Sequence, residues 1–480
     1  MVLVEWQNTK FQFMVGAFVS ICLLVLGLLL NQPIVCLLPI PLCILILSVK
    51  DIRIPFYLLV FSLPLSLNLQ DKAHINLDFP DVPLMLLLTA LFIFIALINH
   101  ATISFRKIVS HPIVIIVLLS FAWTAVSVVF SPEPLFSSKY LAKKVWFLIP
   151  FLFLPILLFR QTKIIVRSAQ IIVGILSIIA VIILVRFSAL GFRFEDVHDP
   201  IQPFFMNHVM YGSMLSCIVP ICFGALLLSR KLSMQWMIAI ACLAVLLIAT
   251  YFSYSRAAWM GVVFGACIYV CVRWKLAHIA MLSFMGLVLA GVLWMSTNNK
   301  YLEFKPQFEK TIMHESIMDH LLATIQGTDI SSAERYYRWI AAIRMCNDHP
   351  LTGVGPNNFY DYYKSYTITS FRTWVSRNPE KSTTHNYFLF MLVEQGYPAM
   401  ILYAILIFFI FWFGEKTYHR LQDRQHKIIV MSVLCMIAAL FINNFFSELL
   451  EADKIGSLFY MGLAVLVVMD FSSREIPIVD

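Results

Sequence analysis

The chain has 480 residues, of which 60% are hydrophobic and only 13% charged. A soluble domain carries about 45–50% apolar and about 25% charged residues, so this composition excludes an ordinary soluble enzyme and a disordered chain alike. The net charge of +8 sits in such an apolar background that it reads as a topological signal of the loops, and no nucleic-acid partner is expected.

Apolar runs of the roughly 20 residues needed to cross a hydrocarbon core as helix recur along nearly the whole sequence. They lie near 11–30, 33–48, 54–69, 83–99, 112–130, 143–159, 166–187, 209–229, 235–252, 257–272, 278–296, 386–413, 428–447 and 456–471. The second, third and tenth are short or interrupted by proline, so the expectation is an all-α polytopic membrane protein with 12–14 transmembrane helices. Ten residues precede the first run and no small-residue cleavage site follows it, so it reads as a retained helix. The polar stretch 297–384 divides the chain into an N-terminal transmembrane bundle (1–296), a large loop, and C-terminal transmembrane helices (385–480). No internal repeat or low-complexity linker interrupts this order.

Lysine and arginine distribution sets the orientation. With the N-terminus inside, seventeen of them, from Lys10 to Arg474, fall in cytoplasmic segments, and eight fall in short outer loops (Lys72, Lys139, Lys143, Lys144, Arg186, Arg193, Arg256 and Lys454). Both termini are therefore expected in the cytoplasm and the 297–384 loop outside. The cluster Lys139, Lys143 and Lys144 runs against this bias and hints at contact with anionic membrane lipids. Nine of the ten cysteines lie in apolar runs and only Cys346 is in the loop, so no disulfide framework or metal spacing is expected.

Within the loop, Ser331 and Glu334 fit a capping box, and an amphipathic helix over 332–348 follows. It is expected to place Tyr336, Trp339, Ile340, Ile343 and Cys346 on one face, Arg335 and Arg338 together at its edge, and Arg344 opposite. It should lie on the membrane surface or cap the bundle. Asn347 to Pro350 ends it, Gly353 to Asn358 forms a turn, and Tyr360, Tyr362, Tyr363 and Tyr366 follow, in a position to line a sugar path or an interfacial belt.

His385 and Asn386 stand where the loop passes back into an apolar run, and Arg256 sits in a polar gap between two runs. Taken singly, Arg256 could anchor a helix end among headgroups, Arg335 and Arg338 could be a solvated edge, and His385 could be structural. Gathered at one membrane face they suit an anionic lipid-linked substrate, because guanidinium forks match phosphate oxygens and imidazole moves protons near neutral pH. Other signatures fail. Gly353-Val354-Gly355 lacks the third glycine of a dinucleotide loop, His314-Glu315 and His320 have the wrong spacing for a zinc protease, and there is neither a P-loop nor a D-x-D motif. A secondary transporter would show ionisable residues deep in several runs and paired broken helices, whereas here the polar mass lies on one side.

Three blocks in order resemble the O-antigen ligase and polymerase superfamily. They are Ser255-Arg256-Ala257-Ala258-Trp259; Arg335-x-x-Arg338-Trp339 continuing to Pro350-x-x-Gly353-x-Gly355-x-x-x-Phe359; and His385-Asn386 followed nine residues later by Gly396. The resemblance covers about residues 235–450, with one departure at Ala399, where ligases often have Gly, Thr or Tyr. It implies an inverting glycosyltransferase of the bacterial inner membrane, independent of metal and cofactor. Such enzymes transfer a glycan from undecaprenyl diphosphate to an acceptor, the lipid A core in a ligase or another lipid-linked repeat in a polymerase. His385, Arg256 and Arg335 are then the expected catalytic residues, and Arg338, Asn386, Trp339 and Tyr363 the expected substrate-binding ones. A carrier of lipid or polysaccharide without chemistry would use the same arginines, and loss of turnover on replacing His385 separates the two.

Overall fold

A computed structural model describes residues 51–68, 78–99, 103–297, 300, 330–367 and 383–476, with the backbone alone at 296 and 330–334. The expected runs at 11–30 and 33–48, and the side chains of the capping box, lie outside the described residues. The chain divides into two compact units, residues 1–103 and 104–480.

In the first unit, α1 (Arg53–Ser62) continues as a 3-10 turn through Pro64 to Leu65. Leu67–Asn68 then pairs antiparallel with Asp78–Phe79, and α2 (Asp81–Ile98) follows. Ser66 donates to Asp81 at 2.6 Å, tying the two connections together. The run at 54–69 was expected to span. Its helix ends at Leu65, and at 1.5 Å per residue it falls short of a hydrocarbon core of about 30 Å.

The second unit contains α3 (Pro112–Val129), α4 (Pro134–Leu158), α5 (Thr162–Ala189), α6 (His208–Leu228), α7 (Met234–Phe252), α8 (Arg256–Arg273), α9 (Ala277–Ser296), α10 (Ile330–Asp348), α11 (Tyr387–Arg420), α12 (Arg424–Phe445) and α13 (Asp453–Ser473). Eleven described helices are long and apolar enough to cross a membrane. These are the fourteen expected runs less the two outside the described residues and the short α1. The protein is thus an all-α polytopic membrane protein.

α4 begins nine residues earlier than the apolar run at 143–159 suggested, and a π-helical stretch (Ile149–Phe153) lies where Pro150 and Pro155 remove backbone donors. Lys139, Lys143 and Lys144 therefore ride on a helix instead of a loop. Lys144 contacts Glu451 at 2.8 Å and Lys143 contacts Asp453 at 2.9 Å, so these two lysines are paired with protein carboxylates, while Lys139 is exposed.

α12 and α13 form the centre, with most of their length enclosed by protein, whereas α9 is almost wholly exposed on the bundle's outside. α12 packs on α6, α8, α11 and α13. Its Asn443 accepts from Ser213 at 2.7 Å and donates to Ser216 at 3.1 Å. Polar groups buried in an apolar bundle need such partners, and here they fix the register of α6 against α12. At one end Asp470 gathers Arg420 (3.1 Å), Arg474 (3.0 Å) and His111 (3.4 Å). Because the helices alternate in direction, the opposite end carries the starts of α6, α8, α11 and α13 and the finish of α12.

Candidate functional site

The loop helix α10 packs onto the beginning of α11. Among its buried residues, Tyr337, Ile340, Ala341, Ala342 and Met345 meet Val354, Phe359, Tyr363 and Val393. The expected face is therefore turned by about one position. Ile340 and Cys346 are inside as anticipated, but Ile343 is 45% exposed and Tyr337 is enclosed. The reason is that the segment 350–366 folds back over the helix, so α10 is covered from its side and does not rest one flat face on an apolar surface. Arg344 is exposed, as expected. Tyr363 stacks on Phe359 (ring centroids 5.2 Å apart) and is only 1% exposed, so its ring stabilises this small core and does not open onto a sugar path.

The turn after α10 is docked on a break in α11. Gly396 has φ +78°, and a Cβ there would run into the carbonyl oxygens of Leu351 and Pro350. Gly353, at φ +64°, lies against the backbone of Glu394 in the same way. Only residues without Cβ allow this approach. Val354 N donates to Val393 O (2.9 Å), Gly355 N to Glu394 O (2.9 Å) and Tyr397 N to Pro350 O (2.9 Å). The buried Glu394 carboxylate accepts from Asn357 N at 2.7 Å. The two motif blocks that are separated in sequence thus form one unit, and their glycines serve backbone contact.

That unit sets the position of residues 383–386. Arg338, 2% exposed, donates to Thr383 O at 3.1 Å, and Trp339 Nε1 donates to Thr384 O at 2.9 Å. Asn386 caps α11 by accepting from Leu389 N (3.1 Å) and donates to Phe445 O at the end of α12 (3.1 Å), which is the work expected of Asn just before a helix. These three residues brace the backbone around His385. The histidine itself takes φ +51°, an uncommon conformation that persists only where the surroundings dictate it.

His385 Nδ1 lies 3.9 Å from Glu448 Oε2 in the connection after α12. Burial, followed by the charges of Arg338 and Arg335, presses the imidazole down to about 3, so it is neutral at pH 7. Burial raises the carboxyl of Glu448, with Arg338 opposing. Arg335 is half-buried with its guanidinium 6.0 Å from the centre of the Phe446 ring. Arg256 is the first residue of α8, after Ser255, whose hydroxyl accepts from Ala258 N.

A second histidine joins them. Arg335 and Arg256 both act electrostatically on His208, the first residue of α6. Arg335 therefore acts on two imidazoles, His208 and His385. Sequence reasoning missed Glu448 and His208. Glu448 follows an apolar run with no motif around it, and His208 is a single histidine beside a capping Asn207; only the packing of α6, α8 and α12 brings them to the site. Among the described residues no group of three or more His, Cys, Asp or Glu is placed to hold a metal ion.

Residues 241–404 match the family described as O-antigen ligase. The match runs from within α7 to a point in α11 beyond its break at Gly396, and takes in Arg256, Arg335, Arg338, Trp339, His385 and Asn386. No curated protein matches the chain.

Proposed function

We propose, from the chain's membership of the O-antigen ligase and polymerase superfamily, that it is a membrane glycosyltransferase. It moves a glycan from undecaprenyl diphosphate to the lipid A core at the outer face of the bacterial inner membrane. The observation that carries this reading is the bracing of His385, 3.9 Å from Glu448, at the bundle end where Arg335 acts on both His385 and His208 and Arg256 acts on His208. A neutral imidazole beside a cationic stretch is what transfer from an anionic leaving group requires.

The acceptor hydroxyl attacks the anomeric carbon from the side opposite the diphosphate, and its proton passes to His385. A proton on Nδ1, toward Glu448, leaves the Nε2 lone pair for that hydroxyl. As the new C–O bond forms, the old one breaks, and its electron pair stays on the diphosphate oxygen near Arg256 and Arg335. The configuration inverts. Fixed guanidiniums already aimed at the developing charge stabilise it without reorganisation, so the reaction proceeds with chelator present. General-base help of this kind is typically worth about 10²–10⁴ in rate.

The test is transfer by purified protein from a lipid-linked donor, with His385→Ala as control. Near-normal turnover by that variant dismisses the base. A polymerase uses the same chemistry with a lipid-linked repeat as acceptor, and Ala399 departs from the ligase pattern. A glycan profile of a deletion strain separates the two, because a ligase defect leaves lipid-linked polymer accumulating and a polymerase defect leaves single-repeat capping.

A further inference from the structure

The starts of α6 and α8 lie side by side at the end of the bundle that carries His385. A Cβ on Gly212 would come within 2.7 Å of Ser253 Oγ and Ser255 Cβ, so α6, one turn in from its start, touches the turn that leads into Arg256. Asn207 accepts from Met210 N at 2.8 Å and Ser255 from Ala258 N at 3.4 Å, which fixes both starts. Two helix N-termini then contribute partial positive charge to one region. His208 is wedged edge-on against His198 and Phe194, with ring centroids 5.0 and 6.2 Å away, and Phe194 leans in turn on Tyr254 at 5.5 Å.

The His208 ring is thus held firmly, yet its buried Nδ1 has no hydrogen-bond partner among the described residues. Buried polar atoms are rarely left so, and one that is calls for an explanation. The groups that act electrostatically on His208 are its neighbour His198, then the guanidiniums of Arg335 and Arg256. A nitrogen set among two arginines and two helix starts is arranged for an anion with several oxygens.

We propose that His208 is a phosphate-contacting residue, donating Nδ1–H to an oxygen of the lipid-linked diphosphate whose charge Arg256 and Arg335 offset. The proposal rests on the donor assigned above and adds a residue to its binding. Arg256 and Arg335 supply charge at the ends of long side chains. His208 supplies a donor on a short, packed one, which fixes where the diphosphate sits relative to His385.

Binding of undecaprenyl diphosphate and of undecaprenol to the purified full-length protein tests this. His208→Phe keeps the ring packing but cannot donate, His208→Ala is a second non-donating variant should the first not stay monodisperse, and His208→Gln retains an N–H. Loss of a hydrogen bond to a charged group should weaken undecaprenyl diphosphate binding about tenfold or more in the non-donating variants. His208→Gln should restore most of it, and undecaprenol should bind all forms alike. Wild-type affinity of His208→Phe for undecaprenyl diphosphate overturns the proposal, as does equal weakening for undecaprenol, which would indicate a collapsed pocket. If the wild type fails to prefer undecaprenyl diphosphate over undecaprenol, the donor reading itself falls, whatever the variants do.

Discussion

Nδ1 of His385 and Oε2 of Glu448 stand 3.9 Å apart across the space between the start of α11 and the end of α12. The carboxylate faces the imidazole, and it answers Arg338 as well. Glu448→Gln preserves shape and removes charge. It should lower turnover by about tenfold or more, a part of what a general base contributes, while donor affinity stays unchanged. Steady-state kinetics on the purified variant check this, and wild-type turnover would remove Glu448 from the site.

The pH profile should carry the mark of the depressed histidine. A base must be neutral, and burial with Arg338 and Arg335 holds His385 neutral until the pH falls toward about 3. Turnover should therefore stay level through the ordinary histidine range near about 6.5 and fall only in stronger acid. Arg335→Gln removes one of the two opposing cations, so the acid limb of its residual activity should move up. The same sign applies to stability: the unfolded chain binds a proton near pH 6.5 that the folded site refuses, so this residue disfavours folding increasingly below that pH.

Two substitutions separate scaffold from chemistry. Gly396→Ala places a methyl group against Leu351 O and Pro350 O at a positive φ, and backbone strain of this kind alone costs about 1–3 kcal/mol. Asn386→Ala removes the cap of α11 and the bond to Phe445 O, with cap loss typically about 1 kcal/mol. Thermal unfolding in detergent should fall in both, further for Gly396→Ala. The Asn386→Ala protein that remains folded should bind donor normally.

The spans were legible because length and apolarity alone decide them, and α6 to α9 begin and end close to where the hydropathy does. The start of α4 was not, because Lys139, Lys143 and Lys144 look like loop residues until Glu451 and Asp453 are seen beside the last two. Arg338 and Trp339 were recognisable as important, but their task of holding Thr383 and Thr384 depends on a fold-back of the loop that periodicity does not encode. The same fold-back turned the face of α10. Glu448 was invisible because it lies far along the chain from His385, and no local pattern links the two.

Orientation is open to direct measurement. Arg344 is exposed on α10, and Cys346 is the single cysteine of the loop and is buried. In a Cys346→Ser background, Arg344→Cys should react with an impermeant thiol reagent in intact cells whose outer barrier has been opened. Labelling only after lysis would place the loop in the cytoplasm and reverse the proposed topology.

Arg256 and Arg335 give the sharpest test of how the diphosphate is held. Both act on His208, yet they come from a helix start and a loop helix, so their forks approach one region from different directions. Lysine keeps the charge but loses the planar pair of donors that matches two phosphate oxygens. Arg256→Lys and Arg335→Lys should therefore each lower kcat/KM for the lipid-linked donor by about tenfold or more, the scale of one charge-assisted hydrogen bond. Acceptor KM should stay unchanged, and the double variant should lose more than either alone. Full glycan transfer by both lysine variants at normal protein level would defeat the clamp, and with it the assignment of this end of the bundle to the leaving group.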